Sequence, residues 1–190
     1  VSGGQSFFAR TEIKDLMCYL RLLVNPDDDN AFLRIINTPR REIGPATLEK
    51  LANWAMTRGQ GLYHVCDDVA LDDMLGGKAA ARLREFKDWL DHKRQFCFSD
   101  NSLQAVRELV SDMDYEGWLM SQASSPRIGE KKIENVNQLV SSIERMLSRQ
   151  EEEDDSADLE AVIRKLVLID MLEQQEEEDD SDKVQMLTLH

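Results

Sequence analysis

From Thr11 to Gln174 the apolar residues recur at intervals of three and four, the spacing of helices buried along one face. Ile13, Leu16, Met17, Leu20 and Leu23 mark a first helix, and Asn25-Pro26 stops it. Asp27-Asp28-Asp29 then offers an N-cap and favourable charge to the next helix. Phe32-Leu33-Arg34-Ile35-Ile36 is that helix, ended by Asn37-Thr38-Pro39. After Pro45, the positions Leu48, Leu51, Trp54 and Ala55 form the inner face of a third helix, which Gly59 and Gly61 break. A less regular stretch covers 62–75, and Gly76-Gly77 is a further break. Long amphipathic patterns follow over 78–98 and 102–113, with a short one over 115–120. Beyond the Ser124-Ser125-Pro126 loop, Ile133, Val136, Leu139, Val140, Ile143 and Leu147 share one face. Leu159, Val162, Ile163, Leu166 and Met171 mark the last helix. The pattern predicts an all-α, orthogonal multi-helix bundle.

The two ends break this periodicity. Gly3-Gly4 precedes Ser6-Phe7-Phe8, which reads as the exit from a strand. Lys183 to His190 alternates in the manner of a strand, with no sheet around it. A helical unit between two strand remnants suggests an insertion cut from a larger α/β protein, with its ends close together. The hexapeptide EEEDDS occurs at 151–156 and again at 176–181, bracketing the last helix. Both copies are expected as solvated, mobile loops. Other uses for them are to repel DNA from one face or to dock a basic partner.

Charge complicates any nucleic-acid reading, because the chain of 190 residues carries a net charge of -14. Its distribution is polarised. From Phe32 to Arg58 there are five Lys/Arg and two Glu, a surplus of +3 that leaves -17 for the remainder. Cys18, Cys66 and Cys97 lie far apart within apolar patterns, which points to reduced thiols in the cytoplasm and away from disulfides or a zinc site. His64, His92 and His190 have no metal-ligand spacing and are expected at the surface or its boundary. No apolar run is long enough for a membrane span, and no signal peptide is evident. Trp54, Trp89 and Trp118 are expected in or at the edge of the core rather than as base-stacking platforms.

The segment from Arg40 to Leu51, RREIGPATLEKL, carries the most chemistry. Ile43-Gly44-Pro45 feeds a helix N-terminus, whose first amides lack intrahelical partners and whose dipole favours an anion. Such an end accepts a phosphate. Gly44 lets a backbone approach closely, and Pro45 suits the first helical position. Arg40 and Arg41 stand just upstream. An ordinary helix start after a turn has the same local pattern. With the helix before it, the segment resembles the helix-hairpin-helix motif, which binds DNA backbone without sequence preference. That family usually has Gly on both sides of the turn's apolar residue, whereas Glu42 holds the first position here. A carboxylate there threatens to clash with a phosphate. Lys131 and Lys132 offer a second phosphate contact, with a solvated helix start as the plainer reading.

A wider resemblance joins the ends to the middle. Gly3, Gly4, Phe7, Phe8, Arg10, Glu12, Ile13, Lys14 and Asp15 match a pattern of the superfamily 1A DNA helicases of the Rep, UvrD and PcrA group, the Rep type above all. MDYEGWL (113–119) and ENVNQL (134–139) resemble the same group. VQMLTLH resembles the opening of a helicase motif, with Thr188 and His190 at its Thr and His. The resemblance covers essentially the whole chain. It implies subdomain 2B over residues 11–182, with 1–10 and 183–190 as remnants of the RecA-like subdomain 2A. In the family, the whole enzyme is an ATP-driven 3′-to-5′ DNA translocase and helicase of replication and repair. Its 2B subdomain swings as a near-rigid body, touches duplex DNA ahead of the single-strand/double-strand junction and restrains unwinding. The matching positions for that contact are Ile43, Gly44, Pro45, Ala46 and Thr47, with Arg40 and Arg41 beside them.

What the chain lacks bounds its activity. It has no G-x-x-x-x-G-K-[ST] loop and no acidic magnesium-binding strand, the groups that hold a nucleotide and its metal. ATP and magnesium therefore belong to the parent helicase, and no catalytic, cofactor-binding or metal residue is assigned here. The competing reading is a protein-interaction module that docks the other helicase subdomains, a second helicase molecule or a replication protein.

Overall fold

A computed structural model describes residues 6–100, 102–154 and 156–188. A 3-10 turn over Phe7–Ala9 leads into α1 (Thr11–Val24). Then follow α2 (Asp29–Ile35), α3 (Pro45–Arg58), α4 (Leu62–Val65), α5 (Leu71–Leu75) and α6 (Gly77–Cys97). The chain continues through α7 (Ser102–Asp112), α8 (Tyr115–Gln122), α9 (Pro126–Asp154) and α10 (Leu159–Thr188). The described residues contain no strand, so the fold is the expected all-α bundle.

Helix α1 is the axis of the packing. Ten of its fourteen residues are buried, because α2, α9 and α10 all pack against it. A helix enclosed on several sides must be apolar on several sides, and Ile13, Leu16, Leu20 and Leu22 are each 0% exposed. Around this axis, α3 packs on α4 and α5, α5 on α6, α6 on α7, and α7 and α8 on α9. Helix α9 contributes Val136, Leu139, Val140, Ile143 and Leu147, and α10 contributes Leu159, Val162, Ile163 and Leu166.

The helix ends follow their local chemistry. The Asp28 side chain accepts a hydrogen bond from the Ala31 amide at 3.0 Å, capping α2. Gly59 closes α3 in the left-handed region at φ 64, its amide reaching the carbonyls of Ala55 and Met56. Gly76 separates α5 from α6 at φ 87, a backbone that a side chain would strain. Arg94 of α6 donates to the carbonyls of Leu22 and Leu23, satisfying the open end of α1.

The departures from expectation lie at the ends. Ser6-Phe7-Phe8 enters a 3-10 turn rather than leaving a strand. Residues 183–188 continue α10 as helix. A lone strand leaves its amides and carbonyls unpaired, and a helix satisfies them internally. The acidic runs are also helical where described: Glu151 to Asp154 close α9, and Glu176 to Ser181 lie inside α10. Glu is a good helix former, and like charges a turn apart cost only tenths of a kcal/mol. Helix α10 thus runs across the expected boundary at residue 182. The expectations for Gly3, Gly4 and His190 fall outside the described residues.

One carboxylate is out of place energetically. Asp170 of α10 is 8% exposed and has one hydrogen bond, donated by Gln174 at 3.0 Å. Burial pushes its pKa above the ordinary aspartate value. The folded protein therefore holds that proton more tightly than the unfolded chain does. Stability falls as pH rises through the raised value, and the cost is absent below the ordinary one. Thermal melts of Asp170→Asn should show a higher melting temperature at pH 7, with the gain vanishing in acid. A lower melting temperature at pH 7 would show that the charge itself is stabilising.

Candidate nucleic-acid interface

The connection from α2 to α3, residues 36–44, is tied down by side chains rather than by a ladder. Asn37 brackets Ile43: its Nδ2 donates to the Ile43 carbonyl at 2.7 Å and its Oδ1 accepts the Ile43 amide at 3.0 Å. The Tyr19 hydroxyl, buried on α1, donates to the Thr38 carbonyl at 2.5 Å. The Thr38–Pro39 peptide is cis. Ile43 is 3% exposed and pins the turn into the core.

Arg41 braces the same loop from inside. Its Nη1 donates to the carbonyls of Ile35 at 2.8 Å and Ile36 at 3.1 Å, the open end of α2. Its Nη2 donates to the Tyr19 hydroxyl at 2.6 Å. The guanidinium lies 4.7 Å from the Phe86 ring centre, with Tyr19 and Trp89 also within reach. Burial raises the Tyr19 pKa to about 12, against the opposing pull of Arg41. Tyr19 therefore stays protonated and donates outward while accepting from Arg41. Nη1 and Nη2 of Arg41 thus bind the protein, and its half-buried side chain also lines a cleft with Arg40 and Arg82.

The outward side of the loop is bare. Gly44, Pro45 and Ala46 are exposed, and Thr47 is half-buried. No side chain caps α3. The amides of Gly44, Ala46 and Thr47 find no acceptor among the described residues; the first bond of the helix runs from the Leu48 amide to the Gly44 carbonyl. These are the orphan donors of a helix start, aligned with its dipole. Gly44 has φ -74 and ψ 166, a conformation open to any residue. A Cβ built there meets nothing within 4 Å. Neither the backbone conformation nor the packing of this chain requires glycine at position 44. Arg40 is the exposed cation beside this mouth. Of the seven residues expected here, Arg40, Gly44, Pro45 and Ala46 are exposed, Arg41 and Thr47 are half-buried, and Ile43 is buried.

Sequence reasoning missed Asn37, Tyr19 and Arg82. Asn37 carried a turn signal but no hint of its partner six residues on. Tyr19 and Arg82 lie in other helices, so no local pattern points to them. Arg82 donates to the Glu42 carbonyl and pairs with its carboxylate, both at 3.3 Å.

The remaining residues singled out by the sequence are placed as follows. Cys18, Cys66 and Cys97 are buried free thiols whose pKa values burial raises. His64 and His92 are exposed. Trp54, Trp89 and Trp118 are partly buried against the core. Lys131 pairs with Glu134 at 3.6 Å within α9. No group of three metal-ligating side chains occurs among the described residues. No described helix is long and apolar enough to cross a membrane.

Comparison with known proteins shows the family of the chain. It belongs to the UvrD-like helicase C-terminal domain family, which matches residues 1–74 and 77–190. It is 47% identical to the ATP-dependent DNA helicase Rep of Escherichia coli (strain K12), across all of this chain and 28% of the relative. It is 34% identical to DNA helicase II of the same organism, across all of this chain and 26% of that relative. The corresponding identity to the ATP-dependent DNA helicase PcrA of Bacillus subtilis (strain 168) is 31%, across 25% of that relative. The chain thus spans about a quarter of the length of these relatives.

Proposed function

We propose that this chain is the duplex-DNA-contacting, regulatory 2B subdomain of a Rep-like, ATP-dependent 3′-to-5′ DNA helicase of replication and repair. It is not catalytic by itself. Residues 11–182 form the subdomain, and 1–10 and 183–190 belong to subdomain 2A. The observation that carries this reading is the uncapped start of α3, with three amides that find no acceptor among the described residues. As a helix-hairpin-helix, the α2–α3 pair would set a DNA phosphate against Gly44, Ala46 and Thr47, the Thr47 hydroxyl adding a contact and Arg40 adding charge. Ile43 and Pro45 shape the loop, and Arg41 holds it rigid. ATP and magnesium act in the parent's motor domains, and the partner is duplex DNA at the junction.

The test is fluorescence anisotropy with a labelled duplex. Binding should be weak and salt-sensitive. For about three phosphate contacts, affinity should fall roughly 40-fold between about 50 and 200 mM salt. Gly44→Val fills open space and keeps the fold. It should leave the melting temperature unchanged and weaken duplex binding at least about tenfold, some 1.4 kcal/mol. Unchanged affinity in this variant overturns the site.

A second reading rests on a different face. Leu168, Met171 and Leu172 of α10 are 56%, 61% and 52% exposed and sit three and four residues apart. That stripe suits docking of other helicase subdomains or a replication protein.

A further inference from the structure

The Glu42 carboxylate occupies a place that suits a phosphate. It lies 3.3 Å from Arg82 Nη2 and 3.8 Å from Arg40 Nη2. Glu42 stands two residues before Gly44, the N-cap of α3. Its backbone sits at φ 59, in the left-handed region that a glycine would occupy without strain. The arrangement keeps the carboxylate turned onto α6, where Arg82 also holds the Glu42 carbonyl at 3.3 Å. Arg40, Arg82 and the half-buried Arg41 share the walls of one cleft of about 370 Å³, with Phe86 and Trp89. Glu85, one turn beyond Arg82, is on the same cleft and makes no ion pair among the described residues.

Resting on the reading that duplex DNA meets the α3 start, we propose that Glu42 is a built-in competitor for the DNA backbone and that Arg82 of α6 is the phosphate contact it masks. Guanidinium binds carboxylate and phosphate oxygens with the same planar fork. All three side chains are solvent-accessible, at 75% for Arg40, 58% for Glu42 and 41% for Arg82. Exposed pairs of this kind are weak and salt-screened. A duplex presents a negative charge about every 1.7 Å of its axis, so it outcompetes one carboxylate on both guanidiniums. Glu42 swings out, and Arg82 joins Arg40 on the phosphates. The device lowers affinity at rest without closing the site, which suits a subdomain that must leave the duplex as readily as it meets it. It also gives the departure from glycine at position 42 a function.

Anisotropy titrations of the full chain with a labelled duplex at low salt test this, with melting curves to verify folding. Glu42→Gln should tighten binding about three- to tenfold. Glu42→Ala should do at least as well. The gain should vanish when Arg82 is also replaced by Ala. It should also steepen the salt dependence by about one released ion, the mark of one added phosphate contact. Glu85→Gln removes the same charge from the cleft that Arg40 and Arg82 line and should gain less than about twofold, whether or not Arg82 is present. A Glu42→Gln gain that persists without Arg82 overturns the proposal, since plain charge repulsion gives that result. No gain at all also overturns it, and if Gly44→Val still weakens binding, the duplex-binding reading survives. Should neither the natural chain nor any Glu42 variant bind duplex, both fall together.

Discussion

Arg41→Ala should lower the unfolding free energy by about 3 kcal/mol, because the Ile36 carbonyl and the Tyr19 hydroxyl lose the donor that Arg41 gives them, while the Ile35 carbonyl keeps only the Thr38 amide. For a chain of this size that corresponds to roughly 6–12 °C in melting temperature. The reason lies in where the guanidinium goes. It supplies the Ile35 and Ile36 carbonyls at the open end of α2 and the Tyr19 hydroxyl on α1. It also fills a box of three rings, Tyr19, Phe86 and Trp89, from α1 and α6. Truncation strands acceptors and opens a void, two of the routes to large effects. Lys keeps the charge but offers a compact ammonium in place of a planar fork. Arg41→Lys should therefore fall between the two. Thermal melts followed by circular dichroism give the order. Arg164→Ala, which loses only an exposed pair with Glu160, should cost less than about 1 kcal/mol. Equal effects for Arg41 and Arg164 would show that the brace is ornamental. Duplex affinity should drop with stability in Arg41→Ala, since the same side chain steadies the loop that ends at Gly44.

The helical architecture was readable because burial on one face leaves a period in the chain. The 3.6-residue pattern marks Val136 to Leu147 and Leu159 to Leu166 without ambiguity, and Pro and Gly mark the breaks at Pro26, Gly59 and Gly76. The ends were not readable in the same way. Alternation in KVQMLTLH describes which faces an apolar residue would occupy in a sheet, and pairing partners decide whether the sheet exists. Within this chain α10 simply continues. The acidic hexapeptides show the opposite limit: polarity without periodicity reads as loop, while Glu-rich segments keep helical backbones when nothing interrupts them. At the candidate interface, Gly44, Pro45 and Thr47 were visible as a helix start. Arg40 and Arg41 were indistinguishable in sequence, yet one points to solvent and the other into an aromatic box. That division is set by Tyr19 and by Phe86 and Trp89, residues contributed from other helices, so no local pattern carries it. Arg82 is forty positions from Glu42 and was invisible for the same reason.

Asn135→Leu should destabilise the protein by about 3 kcal/mol, the cost of leaving a buried carboxylate without its hydrogen-bond donor. Glu12 is 4% exposed and Asn135 is 5% exposed. Asn135 Nδ2 donates to the Glu12 carboxylate at 2.8 Å, and its Oδ1 accepts from Arg10 at 2.8 Å. Tyr115, fully buried on α8, donates to the Glu12 backbone carbonyl at 2.7 Å. Burial pushes the Tyr115 phenol pKa upward and keeps it a donor. One cluster thus ties the start of α1 to α8 and α9, next to the segment through which the chain enters the bundle. Such a knot resists hinging inside the unit. Urea denaturation should resolve the contributions. Glu12→Met combined with Asn135→Leu removes the charge together with its partner. It should recover most of the stability lost in Asn135→Leu alone, a coupling of about 2 kcal/mol or more. Strictly additive losses would mean that the two side chains act independently and that the knot is held by Tyr115 and packing alone.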